Sequence, residues 1–296
     1  MITKIITHKG CPDGIASAYI LHQKFPNAEI QFVQHDTPEY KNIKPQPGLL
    51  FCDFSPEKNR AQEFLDAKTI VLDHHKTAQP IVELFAKEGL GIFGDEKTNP
   101  GMSGAMLAYH FINQLDNSWH GQEDTNLETI ARLIGIRDTW VRNSPDWQEA
   151  CELSSALIFY PFDYILSLSP QNLLNEAKTI GKILYNQKIN YAKEAIKNSY
   201  RFQTETGYNV VVVSGTSVTS DVSDISDTDI VVGFNYFCVE ETQKIILSFR
   251  SKSDFDVSKL VSKMGGGGHT KAAGCTLELN ERSLQPYILI EEIFAI

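Results

Sequence analysis

The residues of this 296-residue chain that could do chemistry stand in short polar runs at the ends of apolar ones. KIIT runs into His8, LLFC into Asp53, and TIVL into Asp73, His74 and His75. The run KGCPDG after the first of these adds Cys11 and Asp13, and GIRDTW adds Asp138. These are ligand types for divalent cations. Carboxylates gathered without a basic partner repel one another, and some are forced neutral; a cation removes that conflict. A mixed carboxylate and imidazole set favours manganese, with magnesium, cobalt or iron as substitutes, over a cysteine-rich structural zinc site. Two such cations, about 3.5–4 Å apart, clamp the attacking and leaving oxygens at a phosphorus centre.

Taken singly, each residue has a plainer use. Asp13 and Asp53 read as a helix cap and a turn former. His8 reads as a hydrogen-bonded strand end, and Asp138 as a partner of Arg137 or Arg142. Two adjacent histidines after an apolar strand are uncommon as plain structure, and the joint pattern favours a site. His22, His35, His110 and His120 lie in helix-like or surface-like contexts and are read as structural.

A second signal lies in FRSKSDFDVSKLVSKMGGGGHTKAAG, which carries Arg250, the glycines Gly266, Gly267 and Gly268, and His269. Glycines allow close backbone approach and leave N–H groups to meet an anion. Arg250 supplies a planar fork for phosphate, and His269 a second donor.

The elements that must position these groups are legible as an alternation. KIITH, EIQFVQH, LLFCDF and TIVLDHH read as strands, with helices predicted over DGIASAYILHQKF and PEKNRAQEFLDA. Such alternation predicts an α/β fold with a parallel sheet. In open sheets of this kind, ligands bind beyond the carboxyl ends of the strands. After residue 100 the pattern turns helical, through GMSGAMLAYHFINQL, TNLETIARLIGI and DWQEACELSSALIF. A long helical stretch follows, with a bend expected at Gly181. A second α/β block then carries the strands YNVVVVSG, DIVVGFNYF and KIILSFRS. The expected organisation is a metal-binding domain over 1–165, a helical linker over 166–204 and a smaller α/β domain over 205–296.

Composition bounds the reading. With 42% apolar and 22% charged residues the chain is an ordinary globular one, not a disordered one. No apolar run approaches the ~20 residues that span a bilayer, and the start does not read as a secretory signal. Five scattered cysteines do not form a disulfide framework, so a reducing, cytoplasmic setting is the default expectation. Charge is −10, from 27 Lys+Arg against 37 Asp+Glu. An acidic chain is a poor trap for long nucleic acid, whose non-specific affinity comes from neutralising many phosphates. A short anionic ligand is compatible with it where metals or local charges overcome the global field.

Read together, HKGCPDG, FCDF, LDHH, RDTW, FRS and GGGGHTKAAG resemble the DHH phosphoesterase superfamily, in the branch with a DHH-associated C-terminal domain. The motifs span nearly the whole chain, and LDHH paired with GGGGH is specific. The resemblance implies two lobes with the active site in the cleft between them, two manganese ions, and hydrolysis of phosphoester or phosphoanhydride bonds. It implies metal-ligand positions at His8, Asp13, Asp53, His74 and Asp138. Asp73 would orient the site, His74 and His75 would take part in catalysis, and His75 would touch phosphate. Arg250, the glycines and His269 would grip a terminal phosphate or nucleotide. Many members carry a DxD pair in the first motif; here Cys11 stands where the first Asp is expected.

The expected function is therefore a metal-dependent phosphodiesterase acting on short oligonucleotides, linear dinucleotides or related small nucleotides through a metal-activated water. The alternatives are a pyrophosphate or polyphosphate hydrolase and a nucleotide-binding sensor with reduced catalysis. No membrane or long nucleic acid partner is expected, and a homodimer is left open.

Overall fold

A computed structural model describes residues 1–35, 37–115, 122–239, 242–278 and 285–295, with backbone alone at 122–124, 239 and 269. His120 lies outside the described residues, as does the side chain of His269. The chain divides into two compact units, Met1–Tyr185 and Asn186–Ile296. Among the described residues no helix is long and apolar enough to cross a membrane.

The first unit is built on five short strands, β1 (Lys4–His8), β2 (Glu29–Val33), β3 (Leu49–Cys52), β4 (Ile70–Asp73) and β5 (Gly91–Phe93). All pair in parallel, in the order β2-β1-β3-β4-β5. Side chains alternate across the sheet, and both faces are covered. Ile5, Leu50, Cys52 and Leu72 enter one apolar cluster, and their neighbours Ile6, Leu49, Phe51 and Val71 enter the other. That is why LLFC reads as an unbroken apolar run, as expected of a strand buried on both sides.

Helices α1 (Pro12–Lys24), α2 (Pro38–Lys41), α3 (Ala61–Asp66) and α4 (Gln79–Ala86) follow the strands in turn. The charged segment predicted as one helix is shorter than expected, a 3₁₀ turn at Lys58–Arg60 leading into α3. The helical region comprises α5 (Gly104–Leu115), α6 (Gln122–Asp138), α7 (Trp147–Phe159), α8 (Phe162–Ser167) and α9 (Pro170–Glu176). Residues of α1, α5, α6, α7 and α9 complete the first cluster, including Tyr19, Ile20, Leu107, Ile130, Leu153 and Leu173. A π-helical turn, Ala177–Gly181, joins α9 to α10 (Lys182–Lys197). A Cβ at Gly181 would sit 2.3 Å from the Glu152 carbonyl oxygen, so glycine lets this turn close against α7.

Strand order changes direction between β1 and β3. The chain leaves β1 for β2 on one side and continues through β3, β4 and β5 on the other. Neighbouring strands whose connections diverge leave a crevice at their carboxyl ends, the usual ligand position of such sheets. His8 ends β1 and Asp53 directly follows β3.

The second unit holds β6 (Tyr200–Gln203), β7 (Asn209–Ser214), β8 (Ile230–Val239), β9 (Thr242–Ser251), β10 (Gly267–His269) and β11 (Ala272–Glu278). Their order is β10-β11-β9-β8-β7-β6, with β7 and β8 parallel and the remaining pairs antiparallel. Helices α11 (Thr219–Ile225), α12 (Val257–Ser262) and α13 (Pro286–Phe294) pack against it. The run NVVVV again alternates, Val210 and Val212 entering one cluster and Val211 and Val213 the other.

Candidate metal centre

Two backbone devices bring the strand ends together. Asp53 has φ +55°, a left-handed conformation that is sparse for any residue with a Cβ, though Asp tolerates it better than most. Its amide still donates to the Leu72 carbonyl at 3.0 Å, so the chain turns aside while held to β4. At β1, helix α1 begins hard against the strand end. A Cβ at Gly14 would sit 2.3 Å from the His8 carbonyl oxygen. That approach places Asp13, in the first turn of α1, fully inside.

Asp13 is anchored from a distant part of the chain. One carboxylate oxygen accepts from Ser103 Oγ at 2.7 Å and the Ala105 amide at 2.8 Å; the other accepts from the Gly104 amide at 2.6 Å. These amides open α5, where N–H groups lack intrahelical partners and the helix dipole favours negative charge. Gly104 is required there, because a Cβ would lie 2.5 Å from Asp53 Cβ and 2.9 Å from Asp13 Oδ2.

His74 is the focus of the cluster and is 2% exposed. Its Nε2 lies 3.2 Å from Asp53 Oδ1, 3.4 Å from Asp138 Oδ2 and 3.5 Å from Asp13 Oδ2. Its Nδ1 lies 2.7 Å from Glu96 Oε1 and donates to it. Beside it, Asp73 binds a different set. Asp73 Oδ1 accepts from the His74 and His75 amides at 2.8 and 3.1 Å and from His75 Nδ1 at 2.7 Å, while Ser55 Oγ donates to Oδ2 at 2.6 Å. His8 completes the rim, with Nε2 2.8 Å from Gln34 Oε1.

The electrostatics separate these groups into two kinds. Burial pushes Asp53 well above the carboxylate range, and Asp13 adds to it. Asp138 is raised to about 6, again by burial and then by Asp13. Burial opposes charge on His74, but its bonds to Asp53 and Glu96, with the fields of Asp138 and Asp13, hold its pKa well above the ordinary value. These carboxylates cannot all ionise around one another without positive charge among them. Asp73 and His75 form a settled pair instead. Burial opposes both charges, yet His75 carries Asp73 below the usual range, and Asp73 lifts His75 to about 9. Burial and then the neighbouring His75 lower His8 to about 4. Burial, then the carboxylates of Asp53, Asp138 and Asp13, raise the Cys11 thiol well above its ordinary value.

Three overlapping triads have ligand atoms within 4.8 Å of one another: His8, Cys11 and Asp53; Asp53, His74 and His75; and Asp13, His74 and Asp138. Shared Asp53 and His74 link them into one surface. His8 Nδ1 and Asp53 Oδ2 are buried without a hydrogen-bond partner, 3.9 Å apart. A buried polar atom left unpaired costs about 1–3 kcal/mol, and a cation between the two satisfies both. The donor set fits divalent metal.

The structure thus gathers His8, Asp13, Asp53, Asp73, His74, His75 and Asp138 at one sheet edge. Sequence reasoning did not single out Glu96, Ser55, or the Ser103–Ala105 turn. Glu96 carried a visible signal: GIF of β5 runs into Gly94, Asp95 and Glu96, the pattern that marked the other strands.

The second unit places the remaining residues by register. His269 pairs with Ala272, and Ala272 pairs with Arg250, so the three positions form one row across β10, β11 and β9. Arg250 donates from Nε to Ser220 Oγ at 3.0 Å, and from a terminal nitrogen to Ser248 Oγ at 3.1 Å and the Phe249 carbonyl at 2.8 Å. Gly267 and Gly268 lie in β10, and the Gly266 amide donates to the Val261 carbonyl at 3.1 Å.

Residues 181–285 match the DHHA1 domain. The chain is similar to a protein of Acanthamoeba polyphaga mimivirus, at 25% identity over 91% of this chain and 66% of that one. It is also similar to the oligoribonuclease NrnB of Bacillus subtilis, at 24% identity over 85% of this chain and 64% of NrnB. The chain therefore spans just under two thirds of the length of these relatives. Among solved structures, the pGpG-specific phosphodiesterase PggH of Vibrio cholerae shares the fold, with TM-score 0.55 and 16% identity over 99% of both chains. The strand-end Asp and His residues, the LDHH run and the matched C-terminal domain point the same way: residues 181–285 match a DHHA1 domain, and the chain is similar over most of its length to DHH-type phosphoesterases.

Proposed function

We propose that the chain is a phosphodiesterase dependent on divalent cations, manganese foremost, that hydrolyses short nucleotides such as linear dinucleotides and oligonucleotides of a few residues. One observation carries the reading: three carboxylates from three different segments surround His74 Nε2 at 3.2–3.5 Å, an environment suited to a cation. His8, Asp13, Asp53, His74 and Asp138 are the residues that hold the ions. Two ions there supply Lewis acidity at phosphorus and a water acidic enough to attack at neutral pH.

The chain's own residues do the positioning. Glu96 takes the Nδ1 proton of His74 in a hydrogen bond, which leaves Nε2 free to ligate, the arrangement that fixes a histidine ligand's tautomer and ring orientation. Asp13 is held by the first amides of α5, so its carboxylate cannot swing away. Asp73 clamps His75 through Nδ1 and keeps it positively charged. His75 then contacts the substrate phosphoryl group, where fixed positive charge stabilises what builds up in the transition state. In the second unit, the row of Arg250, Ala272 and His269 with the adjoining glycines binds the substrate's terminal phosphate or nucleotide. The names of NrnB and PggH, an oligoribonuclease and a pGpG-specific phosphodiesterase, support short nucleotides as the substrate class.

A product-resolved hydrolysis panel tests this. Dinucleotides, longer RNA and DNA, cyclic dinucleotides, nucleotide bisphosphates and pyrophosphate are offered with manganese and with chelator. Dinucleotides and short oligonucleotides should be cleaved fastest, chelator should abolish cleavage, and manganese should restore it. Activity that survives rigorous metal removal, or that falls on pyrophosphate alone, rejects the proposal.

A further inference from the structure

Cys11 occupies the N-cap of α1, a position that favours Ser, Thr, Asp or Asn because their oxygens accept from the helix's first amides. Its sulfur does not meet the geometry of a capping hydrogen bond, though the Gly14 amide beside it favours the thiolate. The sulfur instead belongs to the triad with His8 and Asp53, all three ligand atoms within 4.8 Å of one another. Both partners bring an atom with nothing to bond. Asp53, 1% exposed, has Oδ2 buried and unpaired, and His8 Nδ1 is buried and unpaired 3.9 Å away. Two ligands each ~2.0–2.2 Å from a common ion in a tetrahedral site lie about 3.3–3.6 Å apart, so a small inward movement of either side chain lets one ion reach both. The neighbouring Cys52 is a useful contrast, for its thiol donates to the Gly104 carbonyl at 3.3 Å and has a structural use.

Resting on the metal-dependent reading above, we propose that the Cys11 thiolate is a protein ligand of the ion held by His8 and Asp53, and makes the two cation positions chemically unequal. The position formed by Asp13, His74 and Asp138 offers oxygen and nitrogen only. The other offers nitrogen, oxygen and sulfur. Thiolate is a soft donor, so the sulfur-bearing position selects borderline cations such as cobalt(II), iron(II) or zinc, while the oxygen-rich one suits manganese. Coordination replaces the S–H bond with a sulfur–metal bond, and the proton leaves to buffer. A single chain thereby takes two different metals, and its preference is set by one residue.

Cobalt(II) is the probe. Metal-free wild-type protein is titrated with cobalt while near-ultraviolet absorption and calorimetric binding are recorded together. The proposal expects a sulfur-to-cobalt charge-transfer band that grows with one equivalent of bound ion. Cys11→Ser should lose the band and bind cobalt about ten-fold or more weakly at one position. Cys11→Asp should also lack the band and shift its preference from cobalt toward manganese. Cobalt bound by wild type without the band, or a band undiminished in Cys11→Ser, overturns the assignment and leaves the metal-dependent reading standing. A wild-type protein that binds neither cobalt nor manganese overturns that reading and the Cys11 assignment with it. If Cys11→Ser fails to fold, Cys11→Asp supplies the comparison, and absence of the band in wild type overturns the assignment by itself.

Discussion

Glu96 Oε1 lies 2.7 Å from His74 Nδ1, and this contact fixes which nitrogen of His74 faces the Asp13, Asp53 and Asp138 carboxylates. The acid comes from the loop after the edge strand β5, and the histidine from the loop after its neighbour β4.

Removing that anchor should loosen the metal without emptying the site. Glu96→Ala is expected to weaken manganese binding about 10–100-fold, the usual effect of losing a ligand's supporting partner. Titration calorimetry of wild type and variant checks this; equal affinities would show that packing alone orients His74.

Asp13 has a double role in this structure, so its removal should cost stability as well as metal. Asp13→Ala strips acceptors from Ser103 and from the first two amides of α5. Loss of a helix cap costs about 0.5–2 kcal/mol, so the metal-free variant should unfold earlier in urea. Asp138, 27% exposed and at a helix C-terminal end, should lose metal on replacement by Ala with a smaller change in the urea midpoint.

Gly104 tests the packing beneath the site. A Cβ there meets Asp53 Cβ and Asp13 Oδ2 at 2.5 and 2.9 Å, and the Asp53 contact is close to the backbone and has little freedom to yield. Gly104→Ala is expected to cost about 1–3 kcal/mol of stability and to lower turnover at saturating metal. A variant with wild-type stability and rate would mean that the α5 entry shifts freely.

Metal affinity should fall in acid. Asp138 is raised to about 6 by burial and the nearby Asp13. Below that pH it carries a proton that a cation must displace; above it, it binds without that cost. Calorimetry from pH 5 to 7.5, repeated in buffers of different ionisation enthalpy, should show weaker binding and more protons released at the acid end. A flat profile would remove Asp138 from the ligand set.

The row of Arg250, Ala272 and His269 makes a separate prediction. Arg250→Ala should weaken dinucleotide binding in an Asp53→Ala background while leaving the wild-type background's metal affinity intact, because Arg250 belongs to a different compact unit from the ligands. Fluorescence anisotropy with a labelled dinucleotide reads the first, and calorimetry the second. Unchanged dinucleotide affinity rejects the grip.

Much of this protein is local and therefore legible in the chain. Strands β1, β3 and β4 announce themselves because burial on both faces demands unbroken apolar runs, as in LLFC, and polar ligand types stand where those runs stop. The DHH run and the glycine run are visible without any partner. Of the strands that escaped notice, β5, β6 and β10 have three or four residues each, too few to show a period, and β6 is largely exposed, while β11 opens on the small residues Ala272, Ala273 and Gly274, which hide its alternation. What the sequence could not determine is everything set by pairing at a distance. Strand order alone makes His8 and Asp53 the two residues at the divergence of the sheet. Asp13 accepts from the Ser103 hydroxyl and the Gly104 and Ala105 amides, 90 to 92 positions away, and no spacing rule reports such a contact. Arg250 and His269 share a row only through the register of β11 between them. Local pattern follows from each residue's own burial and backbone preference, whereas strand order, register and the meeting of loops follow from which faces the whole fold can bury at once.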